Sequence, residues 1–138
     1  MAPFKAPMSR RTALFIAAID VVILGLVIHF FVAGDIASLI ADALYTVLVY
    51  LVLAFMLPKA GRHWIALAAF AFSALIELAQ LTGVPEQLAV SFPPSRLVFG
   101  TTFSALDLVA YAVGAAAVFL ADTALSRRGG TWRRTQTE

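Results

Sequence analysis

The stretch TALFIAAIDVVILGLVIHFFVA, residues 12–33, decides how the rest of the chain is read. Only Asp20 and His29 interrupt its apolar character. The hydrocarbon core of a bilayer takes about 20 mostly apolar helical residues to cross, and this run supplies them. Working outward, three more such runs follow, at about 36–57, 63–82 and 103–124. The second carries Asp42 near its start and is closed by Pro58, because proline cannot continue a helix interior. The third carries Glu77 and Gln80 near its end. The fourth carries Asp107 near its start. All four are expected to be helices, because lipid offers no partner to free backbone groups and four strands cannot close a barrel.

Composition agrees. Of 138 residues, 62% are hydrophobic and 13% charged, against about 45–50% and about 25% in soluble domains. Mean hydropathy is +0.92. These values exclude a soluble globular domain, a disordered tail and a nucleic-acid-binding module. Cysteine is absent, which removes disulfides, thiol nucleophiles and cysteine metal sites. His29 and His63 are too few for a histidine-rich metal site, and no cofactor or metal is expected. The expected architecture is an all-α, integral membrane four-helix bundle forming one domain over residues 1–138, with a basic tail at 125–138.

Charge placement sets an expected orientation. Lys5, Arg10, Arg11, Lys59, Arg62, Arg127, Arg128, Arg133 and Arg134 are nine of the ten basic residues. All nine fall on one side of an even-numbered topology. The positive-inside rule then places both termini in the cytoplasm. Trp64 and Trp132 fit interfacial anchoring on that side. Ser9-Arg10-Arg11 loosely resembles a twin-arginine export signal. However, the following run is long, contains Asp20 and lacks a small-residue cleavage site near Ala33, so it reads as a retained span.

With that topology, polar residues from several helices share one depth, the outer leaflet. They are Asp42, Glu77, Gln80 and Asp107, with His29 in the last turns of span one. Asp35, Glu86 and Arg96 lie in the outer connections. Glu77 and Gln80 are helical neighbours, as are Asp107 and Tyr111. Ser73 shares the stripe of Glu77, and Tyr45, Thr46 and Val49 share that of Asp42. Charged side chains at lipid depth are costly and normally face a bundle interior or a wet cavity. Gly114 and Ala115-Ala116-Ala117 allow close helix approach. The connection 83–102, rich in proline and apolar residues, is expected to lie on the bilayer surface or fold over the helix ends.

Two readings of the cluster compete. Asp42 and Asp107 sit at helix N-termini, where carboxylates cap, and Ser104 with Asp107 approaches a capping box. Glu77 sits toward a helix C-terminus, where the dipole disfavours it, so it needs a cation, a proton or a donor. A structural reading pairs Glu77 or Asp107 with Arg96 and pins the loop. A functional reading notes several carboxylates facing one arginine, a setting that binds a cation, an amine or sugar hydroxyls. Asp20 stands apart near mid-membrane with no basic residue at matching depth; a proton, a bond to Ser73 or a tyrosine hydroxyl, or a partner protein would satisfy it, and a carrier would use it as a relay station. The basic-side half of spans two to four reads as uncharged.

Glu77-Leu78-Ala79-Gln80, then Arg96, then Asp107-Leu108-Val109-Ala110-Tyr111-Ala112-Val113-Gly114 resembles the VanZ-like pattern. Tyr111 stands where that family commonly has asparagine. The chain also resembles a bacterial family known as domain of unknown function 2809. That likeness rests on Gly34-Asp35, on Asp42-Ala43-Leu44, on Arg96 followed by Gly100-Thr101-Thr102-Phe103, and on Asp107-Leu108. It extends over roughly residues 12–122. The resemblance implies a four-helix membrane fold with a shared polar cluster, and the VanZ-like association with glycopeptide resistance implies the cell envelope.

The favoured function is an envelope-associated binding or accessory membrane protein without a known biochemical activity. Its cluster of Asp42, Glu77, Gln80, Arg96, Asp107 and Tyr111 would contact a lipid or a cell-wall glycan. The alternatives are a proton-coupled small-solute transporter with Asp20 as relay, and a subunit of a larger complex, either a homo-oligomer or one with a partner protein. An enzyme using Glu77 and Asp107 as acid and base is the least favoured class, since no nucleophile motif or metal-ligand set is present.

Overall fold

A computed structural model describes residues 8–96 and 104–137, with side chains through residue 127. The motif Gly100–Phe103, the start of the fourth span at Phe103, and the side chains of Lys5, Arg128, Trp132, Arg133 and Arg134 lie outside the described residues. Among the described residues five α-helices follow one another: α1 (Arg10–Phe31), α2 (Asp35–Met56), α3 (Arg62–Ala79), α4 (Val84–Ser91) and α5 (Ala105–Thr137). Among the described residues there is no strand. Four helices are long and apolar enough to cross a membrane, the last of these spans running from Ala105 to Arg127. The protein is an all-α, multi-pass membrane bundle.

Local chemistry accounts for the helix ends. Ser9 caps α1, its hydroxyl accepting from the Thr12 N–H at 3.2 Å. Gly34, with φ at 114°, turns the chain from α1 into α2. Few side chains adopt that backbone conformation, so glycine suits the tight connection. Leu57 ends α2 before Pro58, its N–H returning to the Leu53 carbonyl. Over residues 83–96 the connection holds more regular structure than its proline content suggests. Pro85 lies in the first turn of α4, where its missing N–H costs nothing, and Glu86 meets the positive end of the helix. α4 buries Pro85 and Ala89 and leaves Val84 and Val90 exposed, as is Phe92 just beyond its end.

α2 is the hub, packing on α1, α3 and α5, while α3 and α5 also meet. The core combines Tyr50, Leu51, Ala54, Ile65, Ala69 and Val118 with Leu14 of α1. Backbones come closest at Gly114. A Cβ there would run into the Ala43 carbonyl oxygen of α2, with the Ala43 Cα and carbonyl carbon 3.0 Å away. Small residues at such crossings replace the hydrophobic drive that lipid removes.

Polarity is inverted relative to a soluble protein. The largest fully buried side chains are Tyr50, Glu77, Thr46 and Ser73. Phe15, Ile23, Phe30, Leu67, Leu75, Val109 and Leu120 are exposed. An exterior of this kind is satisfied by lipid tails, and the interior polar groups must satisfy one another.

Candidate functional site

The helices run alternately up and down, which divides the bundle into two polar ends. At one end α3 finishes, α5 begins and the early turns of α2 pass by. Glu77, wholly buried on α3, is held there by both carboxylate oxygens. Oε1 accepts from the Ser104 N–H at 2.6 Å, and Oε2 accepts from the Tyr111 hydroxyl at 2.9 Å. Ser104 immediately precedes α5. The carboxylate of Glu77 therefore sits at the N-terminus of α5, where free N–H groups and the macrodipole favour negative charge. The unfavourable C-terminal setting within α3 is offset by the favourable end of a neighbouring helix.

Asp107 in the first turn of α5 reaches both Glu77 and Asp42 of α2. Asp42 and Asp107 are half-buried. Two carboxyl groups can hydrogen bond to each other only when one carries a proton, since carboxylates are acceptors only. The rings of Tyr45 and Tyr111 flank the group with centroids 6.3 Å apart. One turn deeper, the Thr46 hydroxyl donates to Ser73 at 2.9 Å, and Ser73 donates to the Ala69 carbonyl at 3.0 Å.

Asp42, Glu77, Asp107 and Tyr111 thus come together, with Gln80 half-buried one turn beyond Glu77 on the same face. Arg96 is not brought in. It is exposed after the 3₁₀ turn Pro93–Ser95 and forms no ion pair with a described residue. The expected Glu77–Arg96 or Asp107–Arg96 clasp is replaced by the Ser104 N–H and Tyr111. Asp20 does not face this interior either. It is exposed on α1, away from Glu77. His29 is exposed near the end of α1 with its ring edge-on to Phe30. Among the described residues, no group of three or more carboxylates and histidines could hold a metal ion.

The opposite end corrects the expectation of an uncharged half. Asp122 of α5 accepts from Tyr50 of α2 at 2.5 Å and from both terminal nitrogens of Arg10 of α1 at 3.1 and 3.0 Å. Nε of Arg62 at the start of α3 stands 3.9 Å away, and Ser126 closes the group at 3.4 Å. Four helices meet on one carboxylate. The signal was present in the sequence, since Asp107, Tyr111, Gly114, Val118 and Asp122 recur at helical spacing along one stripe. The positive-inside rule accounts for Arg10 and Arg62 by topology alone, which names no partner for them.

The profile of the family described as protein of unknown function (DUF2809) matches residues 31–115. That is more than half of the chain. The protein belongs to this family. The match is narrower than residues 12–122. It takes in Asp42, Glu77, Gln80, Arg96, Asp107 and Tyr111, and it leaves Asp20, Arg10 and Asp122 outside. No curated protein and no solved structure matches the chain.

Proposed function

We propose that this member of the DUF2809 family is an envelope-associated binding or accessory protein of the bacterial plasma membrane. Its acidic end would receive a hydrogen-bond-donating group, the ammonium or hydroxyl of a lipid headgroup or cell-wall glycan. One observation carries the reading: Asp42 and Asp107 stand side by side and half-buried, while Glu77 beside them already has its donors. The pair offers acceptor oxygens with no described cation to meet them, and an ammonium would supply both charge and donors. The basic end, with Arg10, Arg62 and Arg127, would face the cytoplasm.

The test compares thermal unfolding of the purified protein in detergent with added phosphatidylethanolamine or phosphatidylcholine. The first headgroup has N–H donors and the second has none. Stabilisation by the ethanolamine lipid alone, abolished in Asp42→Asn and in Asp107→Asn, is the expected outcome, since a ligand that binds only the folded state raises its stability by mass action. Equal response to both lipids, or a response that survives both substitutions, overturns the reading. A soluble cell-wall disaccharide in a parallel arm separates a glycan ligand from a lipid one.

A second reading, a proton-coupled carrier, draws on the Thr46–Ser73 pair one turn below Glu77 and on the Tyr50–Asp122 pair beyond it. Proteoliposomes with a pH-sensitive dye would report proton entry driven by a potassium diffusion potential. Loss of that signal in Ser73→Ala and Glu77→Gln would favour it over binding.

A further inference from the structure

We propose that two copies of this chain associate through α1, along the exposed stripe Ile16, Asp20, Ile23, Val27 and Phe30, with the two Asp20 side chains facing each other at the bilayer centre.

Asp20 is the eleventh residue of the 22-residue α1. With a rise of about 1.5 Å per residue it lies about 15 Å from either end of that helix, the deepest position the helix offers. Its side chain is exposed, and it forms no hydrogen bond or ion pair with a described residue. Lipid tails cannot supply a donor there. Ionisable groups at this depth are normally paired or face a protein interior. The face of α1 turned away from α2 is exposed along its length. α1 packs chiefly on α2, and Leu14 is its one buried residue. Ala17, Ala18 and Val21 flank Leu14 and serve the internal contact.

The occupant follows from spacing, depth and charge. Ile16, Asp20, Ile23, Val27 and Phe30 recur at alternating intervals of four and three, the seam of a coiled coil with one polar residue near its middle. All five are exposed. Two copies inserted in the same sense are related by an axis along the bilayer normal, which brings equal depths together, so Asp20 meets Asp20. No lysine or arginine of this chain lies within the middle turns of a span. A second copy therefore offers no cation at this level, but it does offer a matching carboxyl group. Two facing carboxyls satisfy each other by sharing a proton, the O–H of one donating to the oxygen of the other. The interface leaves the acidic end untouched and stands independently of ligand binding there.

The chain has no cysteine, which suits single-cysteine crosslinking of the full-length protein in membranes. Oxidation of Ile23→Cys and Val27→Cys should give disulfide-linked dimers. Val22→Cys, exposed at nearly the same depth on another face of α1, should give none. Adding Asp20→Leu to the Ile23→Cys chain should abolish the dimer, while Asp20→Asn should retain it, because two amides can also hydrogen bond across the axis. Because Asp20 is exposed and forms no hydrogen bond or ion pair with a described residue, Asp20→Leu should keep the unfolding temperature of the isolated chain. Equal crosslinking of Val22→Cys, dimers that persist in Asp20→Leu, or crosslinks only to a different polypeptide would each overturn the proposal.

Discussion

Glu77 shows how a buried carboxylate is tolerated in a membrane bundle without a basic partner. Its donors come from a backbone N–H at a helix start and a tyrosine hydroxyl. Removing one donor leaves the carboxylate half-satisfied in a site without water access, which costs roughly 1–3 kcal/mol. Tyr111→Phe is therefore expected to lower the unfolding temperature in detergent, and Glu77→Leu to lower it further by stranding both donors. Glu77→Gln should fall between wild type and Glu77→Leu, because its carbonyl can accept from only one side. Equal loss in all three variants would show that cavity or volume effects outweigh the hydrogen bonds. The sequence pointed to Glu77 as the residue in need of a partner, because a carboxylate at a helix C-terminus opposes the dipole. It pointed to Arg96 as the remedy because that was the one cation in the same compartment. Backbone N–H groups carry no letter of their own, so Ser104 could not be weighed as a donor.

At the scale of elements, α2 and α5 cross with backbones in contact at Gly114 and Ala43. A methyl group at Gly114 meets the carbonyl oxygen, carbonyl carbon and Cα of Ala43, none of which a rotamer change can move. Gly114→Ala is expected to destabilise on the order of 1–3 kcal/mol, the range for overpacking a close contact. The companion substitution Ala43→Gly should fail to rescue it, because the obstacle is backbone. Rescue would mean that the helices can separate at little cost. The four spans were legible from apolar run length. The α4 helix was not, because three prolines and a glycine in a short segment read as loop, whereas Pro85 falls in the first turn, where a helix accepts it.

At the scale of the whole molecule, Asp122 ties α1, α2 and α3 to α5 at the basic end. Arg10 is 40% exposed and Asp122 12%, so the ion pair by itself is screened and contributes about 0–1 kcal/mol. The Tyr50 bond is better shielded, since Tyr50 is fully buried. Asp122→Asn should thus cost more in thermal stability than Arg10→Ala, and Tyr50→Phe should account for a large part of the difference. If Arg10→Ala proves as costly as Asp122→Asn, the ion pair outweighs the tyrosine bond. The proposed orientation has its own check in intact cells. Glu86→Cys on α4 should react with an impermeant maleimide added outside, and Lys59→Cys only after lysis. The reverse pattern would turn the protein over. By itself the sequence determined the number of spans, their alternation and the segregation of basic residues to one end. Those properties depend on run length, proline placement and parity, all of which are one-dimensional. It also determined that Asp42, Glu77, Asp107 and Tyr111 share a depth. The tertiary structure alone decided which way each polar side chain faces and what satisfies it. Depth along a helix follows from counting, but azimuth and partner depend on how four helices rotate against one another. That rotation brought Asp122 to Arg10 and Tyr50, left Arg96 outside the cluster, and turned Asp20 away from the bundle interior.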